Sequence, residues 1–502
     1  MQYLDTSQKN IHTSISPQHD NEVYRKQRNN SLTVEGRKWI GRKIFNEDLI
    51  EIEKTDTAFQ QVKRNFRLNI SPLGEIRGGL DIADSSEEKI YQNTRGFIIN
   101  GAVNDKIIFQ SVFFENQSTL LSYQDEFVQT SKVIPGNSRW KKFKENGYDY
   151  AMSSGYILYR VNTNFSIQAG HGKHKIGNGY RSLLLSDNAF NYPYARFESN
   201  FLKGKIKYNS IYAVLMNLTG GDVQIPMGTE RLFQKKPAAF HHLSINLHRT
   251  IQLSFFQSLI WNKSDSMNRN QLNLGFFNPM IFTNTAFYGL QDNKNILTGM
   301  EISIRPIRTL LIYGQVVLDE SGSKKSISNK TGWQAGIQSY DLFSIQNLFL
   351  QIEYNSVRPF TYSATDPGQC YTHYNQALAH PLGANFSEAV GIIAYRFKRL
   401  FIQGKINLIR QGLNLGQNYG QDIFVSDFNP ALNTQTQLQG IDSRTQIAEG
   451  KLGVLLNPKT NLNLYAGLLQ RKQEISSGAS PRDINFVFLG FSTSIINTYW
   501  DF

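Results

Sequence analysis

The chain has 502 residues, 40% hydrophobic and 12% aromatic, and its 53 basic against 40 acidic side chains leave a net charge of +13. No stretch approaches the roughly 20 apolar residues of a spanning helix, which excludes a helical membrane protein but not a β-barrel, whose apolar residues alternate with polar lumen-facing ones. The single cysteine, Cys370, excludes an intrachain disulfide framework and a cysteine-based zinc site.

The basic excess favours anionic partners. The basic residues are scattered and the aromatics follow strand periods, so the pattern points away from nucleic acid and toward lipopolysaccharide phosphates or acidic glycans.

Residues 1–65 are polar and charged, with a weak helical hint in Asn46–Lys54, and are expected to form a periplasmic arm or plug segment. They lack the apolar core of a secretory signal, so an export signal is expected to have been removed or to lie upstream of Met1. From Phe66 the pattern changes to short alternating strands, and 66–502 is expected to be one barrel. The segments 67–70 and 75–82 flank Ser71-Pro-Leu-Gly74, and 96–103 and 107–115 flank Asn104-Asp-Lys106. Strands over 240–248 and 251–261 are separated only by Arg249-Thr250, and 297–305 and 310–319 by Pro306-Ile-Arg-Thr309.

The opposite connections are long: 116–154, 171–194, 219–239, 262–295, 358–387 and 411–447. Short turns at one end and long loops at the other predict a transmembrane antiparallel barrel of about 14–18 strands, with periplasmic turns and extracellular loops.

Two loops carry candidate ligand contacts. In His171-Gly-Lys-His-Lys-Ile-Gly-Asn-Gly-Tyr-Arg181, continuing to Asp187, the spacing fails as a phosphate loop. His171 and His174 have no nearby carboxylate or cysteine to complete a metal site, so neither metal nor cofactor is expected. The glycines predict a turn that re-enters the lumen and packs Leu183, Leu184 and Leu185 against the wall, and His171 and Arg181 are its candidate glycan contacts. The second loop, 354–388, holds Tyr371, His373, Tyr374 and Asn375, whose aromatic faces and short amide suit pyranose rings and hydroxyls. The same residues equally suit any rigid extracellular loop. No pair of carboxylates is fixed at glycosidase separation and no nucleophile elbow is present, so an enzyme is not expected.

The last strand, Ile484 to Phe502, would be an exposed edge unless closed against the first strands, near Phe66 to Ile82. Trp500 and Phe502 on one face resemble the terminal aromatic assembly signal of bacterial outer-membrane barrels.

Several segments resemble the RemB-like gliding-motility proteins of Bacteroidetes and the overlapping Wzi-like capsule-assembly barrels. They are His12-Thr-Ser14, Asn93-Thr-Arg-Gly96, Phe114-Glu-Asn-Gln117, Val133-Ile-Pro-Gly136, 170–187, Leu378-Ala-His-Pro-Leu-Gly-Ala-Asn-Phe386 and the terminal Phe502. The resemblance implies an outer-membrane barrel acting in gliding motility or in capsule attachment. Its expected partners are outer-membrane lipid or lipopolysaccharide, capsular or extracellular polysaccharide, and gliding or type 9 secretion machinery. A porin or substrate-selective channel, and a secreted soluble β-protein, are the alternatives.

Overall fold

The computed structural model describes residues 16–17, 50–54, 63–84, 89–104, 106–218, 233–261, 277–283, 294–321, 330–414, 416–427, 436–458, 460–477, 482–493 and 499–502. Most of 1–62, where the arm or plug is expected, lies outside the described residues. The parts described there are Ser16–Pro17, paired with His174–Lys175, and Ile50–Lys54, paired with the start of the first barrel strand.

Eighteen antiparallel strands among the described residues close into one barrel. They are β1 (Lys63–Asp81), β2 (Lys89–Val103), β3 (Ile107–Ser118), β4 (Gly147–Arg160), β5 (Phe165–Gly172) and β6 (Tyr192–Phe201). Next come β7 (Ile206–Asn217), β8 (Gln234–His248), β9 (Ile251–Trp261), β10 (Lys294–Ile307), β11 (Leu310–Ser321) and β12 (Thr331–Tyr340). The last are β13 (Leu348–Val357), β14 (Phe386–Phe397), β15 (Leu400–Leu413), β16 (Ile441–Asn457), β17 (Leu462–Ile475) and β18 (Arg482–Ser492).

Closure joins Phe486–Ser492 of β18 to Glu75–Asp81 of β1, within the window expected from the sequence. The strand itself is shorter than the alternation predicts. It stops at Ser492, and Tyr499–Phe502 lie inside the barrel instead of extending its wall.

The period of two sorts the wall. On β15, Ile402, Ile406 and Leu408 are exposed on the outer face, while Lys405 and Asn407 turn inward. On β13 the outward Ile352 and Tyr354 alternate with inward Gln351, Glu353 and Asn355. An outer apolar band around a polar interior is the reverse of a soluble barrel, and it fits a hydrocarbon surround. Tight turns close one end, with Asn104 and Lys398 taking the positive φ that short hairpins demand.

Long connections leave the other end, and several fold into the lumen. The helix α1 (Ser122–Ser131) sits in the connection between β3 and β4, with Leu121 N donating to Gln124 Oε1 and Lys132 closing it in the left-handed region. The loop between β5 and β6 re-enters as its glycines predict. Leu183, Leu184 and Leu185 are fully buried against Phe240, Phe256 and Leu297 of the wall and Leu378 of the loop between β13 and β14. This cluster is the main core of the molecule, and it lies inside the barrel.

Candidate functional site

The loop between β5 and β6 is fixed to the inner wall one strand at a time. Asn178 donates from its backbone and side chain to Glu301 Oε1 on β10, at 3.0 and 2.7 Å. Leu183 N donates to Gln315 on β11, and Gln334 on β12 donates to Arg181 O. Tyr180 N and Arg181 N both donate to Glu353 on β13, at 2.7 and 3.0 Å, and Tyr313 OH donates to the same carboxylate. Gly177 makes this approach possible. Its φ is +125°, and a Cβ there would stand 2.1 Å from Gln315 Nε2.

Arg181 is the centre of a buried charge network. Its guanidinium donates to Glu388 on β14 at 3.0 Å, to Asp501 O at 2.7 Å, and pairs with Asp501 Oδ1 at 3.1 Å. Lys405 on β15 and Tyr180 OH hold the other Asp501 oxygen at 3.0 and 2.7 Å. Burial alone raises the Asp501 carboxyl, but Arg181 and Lys405 outweigh it and hold the group below the usual carboxylate range. The guanidinium also lies between the Tyr180 and Tyr499 rings, at 4.9 and 5.1 Å. Glu388 receives a further bond from His380 Nε2 at 2.7 Å.

Trp500 and Phe502 belong to the same inner assembly. Tyr123 OH of α1 donates to Trp500 O, and the Phe502 ring packs 4.8 Å from Phe127.

The six candidate contacts separate into two groups. Arg181, Tyr371 and His373 are buried and cannot reach a ligand outside the barrel. Tyr371 OH donates to Leu184 O. His373 accepts from Met216 N at Nδ1 (2.9 Å) and donates from Nε2 to Asn191 O (3.1 Å), which requires a neutral ring. Burial depresses its pKa to about 3. Tyr374 and Asn375 are the positive-φ tip of the short hairpin formed by Thr372–His373 and Gln376–Ala377, and both are half-buried at the extracellular rim. Tyr374 lies 4.8 Å from Phe190, which in turn meets the edge of His171 at 5.9 Å. His171 is half-buried, its Nδ1 3.3 Å from Ser153 O, while His174 is fully buried against Tyr192 and Tyr194. Among the described residues no group of three metal-binding side chains occurs.

A second feature escaped the sequence reading. A cleft of about 450 Å³ opens at the extracellular ends of β1 to β4, lined by Asp81, Leu121, Asp125, Trp140, Glu145 and Tyr148 among others. The half-buried Trp140 indole meets Tyr148 edge-on at 4.7 Å, and Tyr148 OH is held between Asp125, to which it donates, and Gln129 Nε2. These residues come from two connections, β1–β2 and β3–β4, and the strand ends that flank them, which have no common period, so no local pattern marked them. Only the lone Trp in a charged loop was visible.

A family model described as capsule assembly protein Wzi matches residues 7–470. The chain belongs to this family. It is an outer-membrane barrel, as the apolar outer band also requires. Among solved structures, the Wzi barrel of Escherichia coli, described as a carbohydrate-binding outer-membrane protein involved in group 1 capsule assembly, is similar with a TM-score of 0.51. It is 10% identical, with 86% of this chain and 85% of that chain covered. OpdO of Pseudomonas aeruginosa follows at 11% identity and a TM-score of 0.46, covering 86% and 96%. OccAB2 of Acinetobacter baumannii has 11% identity and a TM-score of 0.45, covering 86% and 97%. No curated protein sequence matches the chain.

Proposed function

We infer that this protein is a non-enzymatic barrel that holds surface polysaccharide, of the capsular type, at its extracellular face. The observation that carries the reading is the cleft beside α1. There an indole stands among carboxylates and a tyrosine pinned by Asp125 and Gln129, a combination that offers a sugar both an apolar face and hydroxyl acceptors. Family membership supports it, as does the carbohydrate binding stated for the Escherichia coli barrel. Tyr374 and Asn375 extend the surface along the rim. The in-folded Leu183–Leu185 core argues for an anchor over a channel.

Binding of purified protein to oligosaccharides from the producing cell's own surface polysaccharide tests the assignment. Trp140→Ala is expected to weaken binding about three- to tenfold, the scale of losing one stacked aromatic contact, with heat-modifiable gel mobility retained. Tyr374→Ala is expected to weaken it less. Unchanged binding in both variants rejects this surface, and no binding by the unaltered protein rejects the function. The resemblance to gliding proteins supports a second role for the same face, tested by whether cells carrying Trp140→Ala still spread on agar.

A further inference from the structure

The outer wall is not uniform. From β11 to β18 the outward positions of its middle band are apolar and exposed, as at Ile312, Ile352, Ile402 and Leu452. On β7 to β9 the outward rows carry Tyr208, Tyr212, His241 and Gln257, and the last two are 0% exposed although Phe240 and Phe256 beside them are the residues that face the lumen.

What covers them is the segment 277–283, from the connection between β9 and β10. It lies against the outside of the barrel. Tyr208 OH donates to Pro279 O at 2.5 Å and Tyr212 OH to Phe277 O at 3.4 Å, while Phe282 N donates to Gln257 Oε1 at 2.8 Å. The Phe277 ring meets Tyr212 at 5.9 Å and Phe282 meets Phe255 at 6.5 Å. Within the segment, Met280 N donates to Asn278 Oδ1 and Thr283 Oγ1 donates to Met280 O.

The depth of this contact matters. β9 has 11 residues and Gln257 is near its midpoint. At about 3.3 Å per residue and a tilt of about 40°, such a strand stands about 25–30 Å tall. The segment therefore reaches roughly the middle of the hydrocarbon layer. Irregular backbone survives there only when its polar groups are satisfied by protein, and the wall's two phenols and one amide supply that satisfaction. The side chains left outward are apolar: Phe277, Met280 and Phe282 are 53, 62 and 39% exposed. They continue the exposed band at Met300, the β10 residue paired with Phe255.

We propose that residues 277–283 form a lipid-embedded strap: bilayer acyl chains pack on Phe277, Met280 and Phe282, and Tyr208, Tyr212 and Gln257 are its hydrogen-bond anchors. The covered outer face of β7 to β9 is then the inner half of a two-layer wall.

The test uses the full chain in phospholipid vesicles with a nitroxide on Met280→Cys, Cys370 being buried, and the accessibility of the label to oxygen and to a water-soluble nickel chelate. Phe277→Cys is the second position. Ile406→Cys reports the lipid band and Arg139→Cys the extracellular medium. Labels at 280 and 277 are expected to match Ile406, reached by oxygen and shielded from nickel. Nickel access like that at Arg139 overturns the proposal, because the strap is then in water. Shielding from both reagents overturns it too, because a second protein then covers the strap. In Gln257→Leu combined with Tyr208→Phe, nickel access at 280 is expected to rise; an unchanged value rejects the anchor assignment.

Discussion

Arg181 grips Asp501 twice, at its carboxylate (3.1 Å) and at its carbonyl oxygen (2.7 Å), although 320 residues separate them in the chain. The contact ties the in-folded loop between β5 and β6 to the tail that follows the closing strand. Both side chains are buried, so neither charge has water as an alternative partner.

Arg181→Met is expected to strand Glu388 and Asp501 as buried carboxylates with fewer counter-charges, at a cost of about 3–5 kcal/mol. Thermal unfolding in detergent, read from the folded and unfolded gel bands, measures it. Adding Asp501→Asn to Arg181→Met is expected to recover part of the loss, since the two residues share one network. Strictly additive losses contradict the direct pair.

Gly177→Ala places a methyl against Gln315 at a φ that L residues rarely adopt. The expected result is a displaced loop with an intact barrel. Protease cleavage within 177–187 on vesicles should become faster while the heat-modifiable band persists. Equal cleavage rates for the two proteins contradict the close approach.

Acid is expected to loosen the Tyr374 hairpin. His373 titrates near 6.5 when unfolded and, through burial, near 3 when folded. Below pH 6.5 the unfolded form binds the extra proton first, so stability falls as pH falls between these values. At pH 5 the loss is about 2 kcal/mol. Hydrogen exchange of residues 371–377 at pH 7.5 and 5 checks it, and His373→Gln should flatten the dependence.

The Leu183–Leu185 core is expected to block the lumen. Planar-bilayer recordings of the unaltered protein should lack a stable porin-sized conductance, and deletion of 177–187 should raise it. A large open conductance in the unaltered protein contradicts the obstructed reading.

Much of the wall was legible from local pattern. Alternation in 251–261 and 310–319 marked strands because burial on one face of a strand repeats every second residue. Tight turns such as Arg249-Thr250 fixed which ends of the strands lie together. The Gly177-Asn-Gly179 spacing announced the re-entrant loop. The loops were less legible: Tyr371 and Tyr374 look alike in sequence, yet one is bonded to Leu184 and the other reaches the rim.

A membrane barrel was already written in the residue order, because strand period and turn length are local properties. The tertiary structure alone decided what the ends and loops do. Trp500 and Phe502, expected on the closing strand, are drawn inward because Arg181, Lys405 and Tyr123 offer Asp501 and the adjoining backbone partners that no neighbouring residue supplies. The same holds for 277–283, whose place on the outer wall depends on two phenols from β7 and an amide from β9.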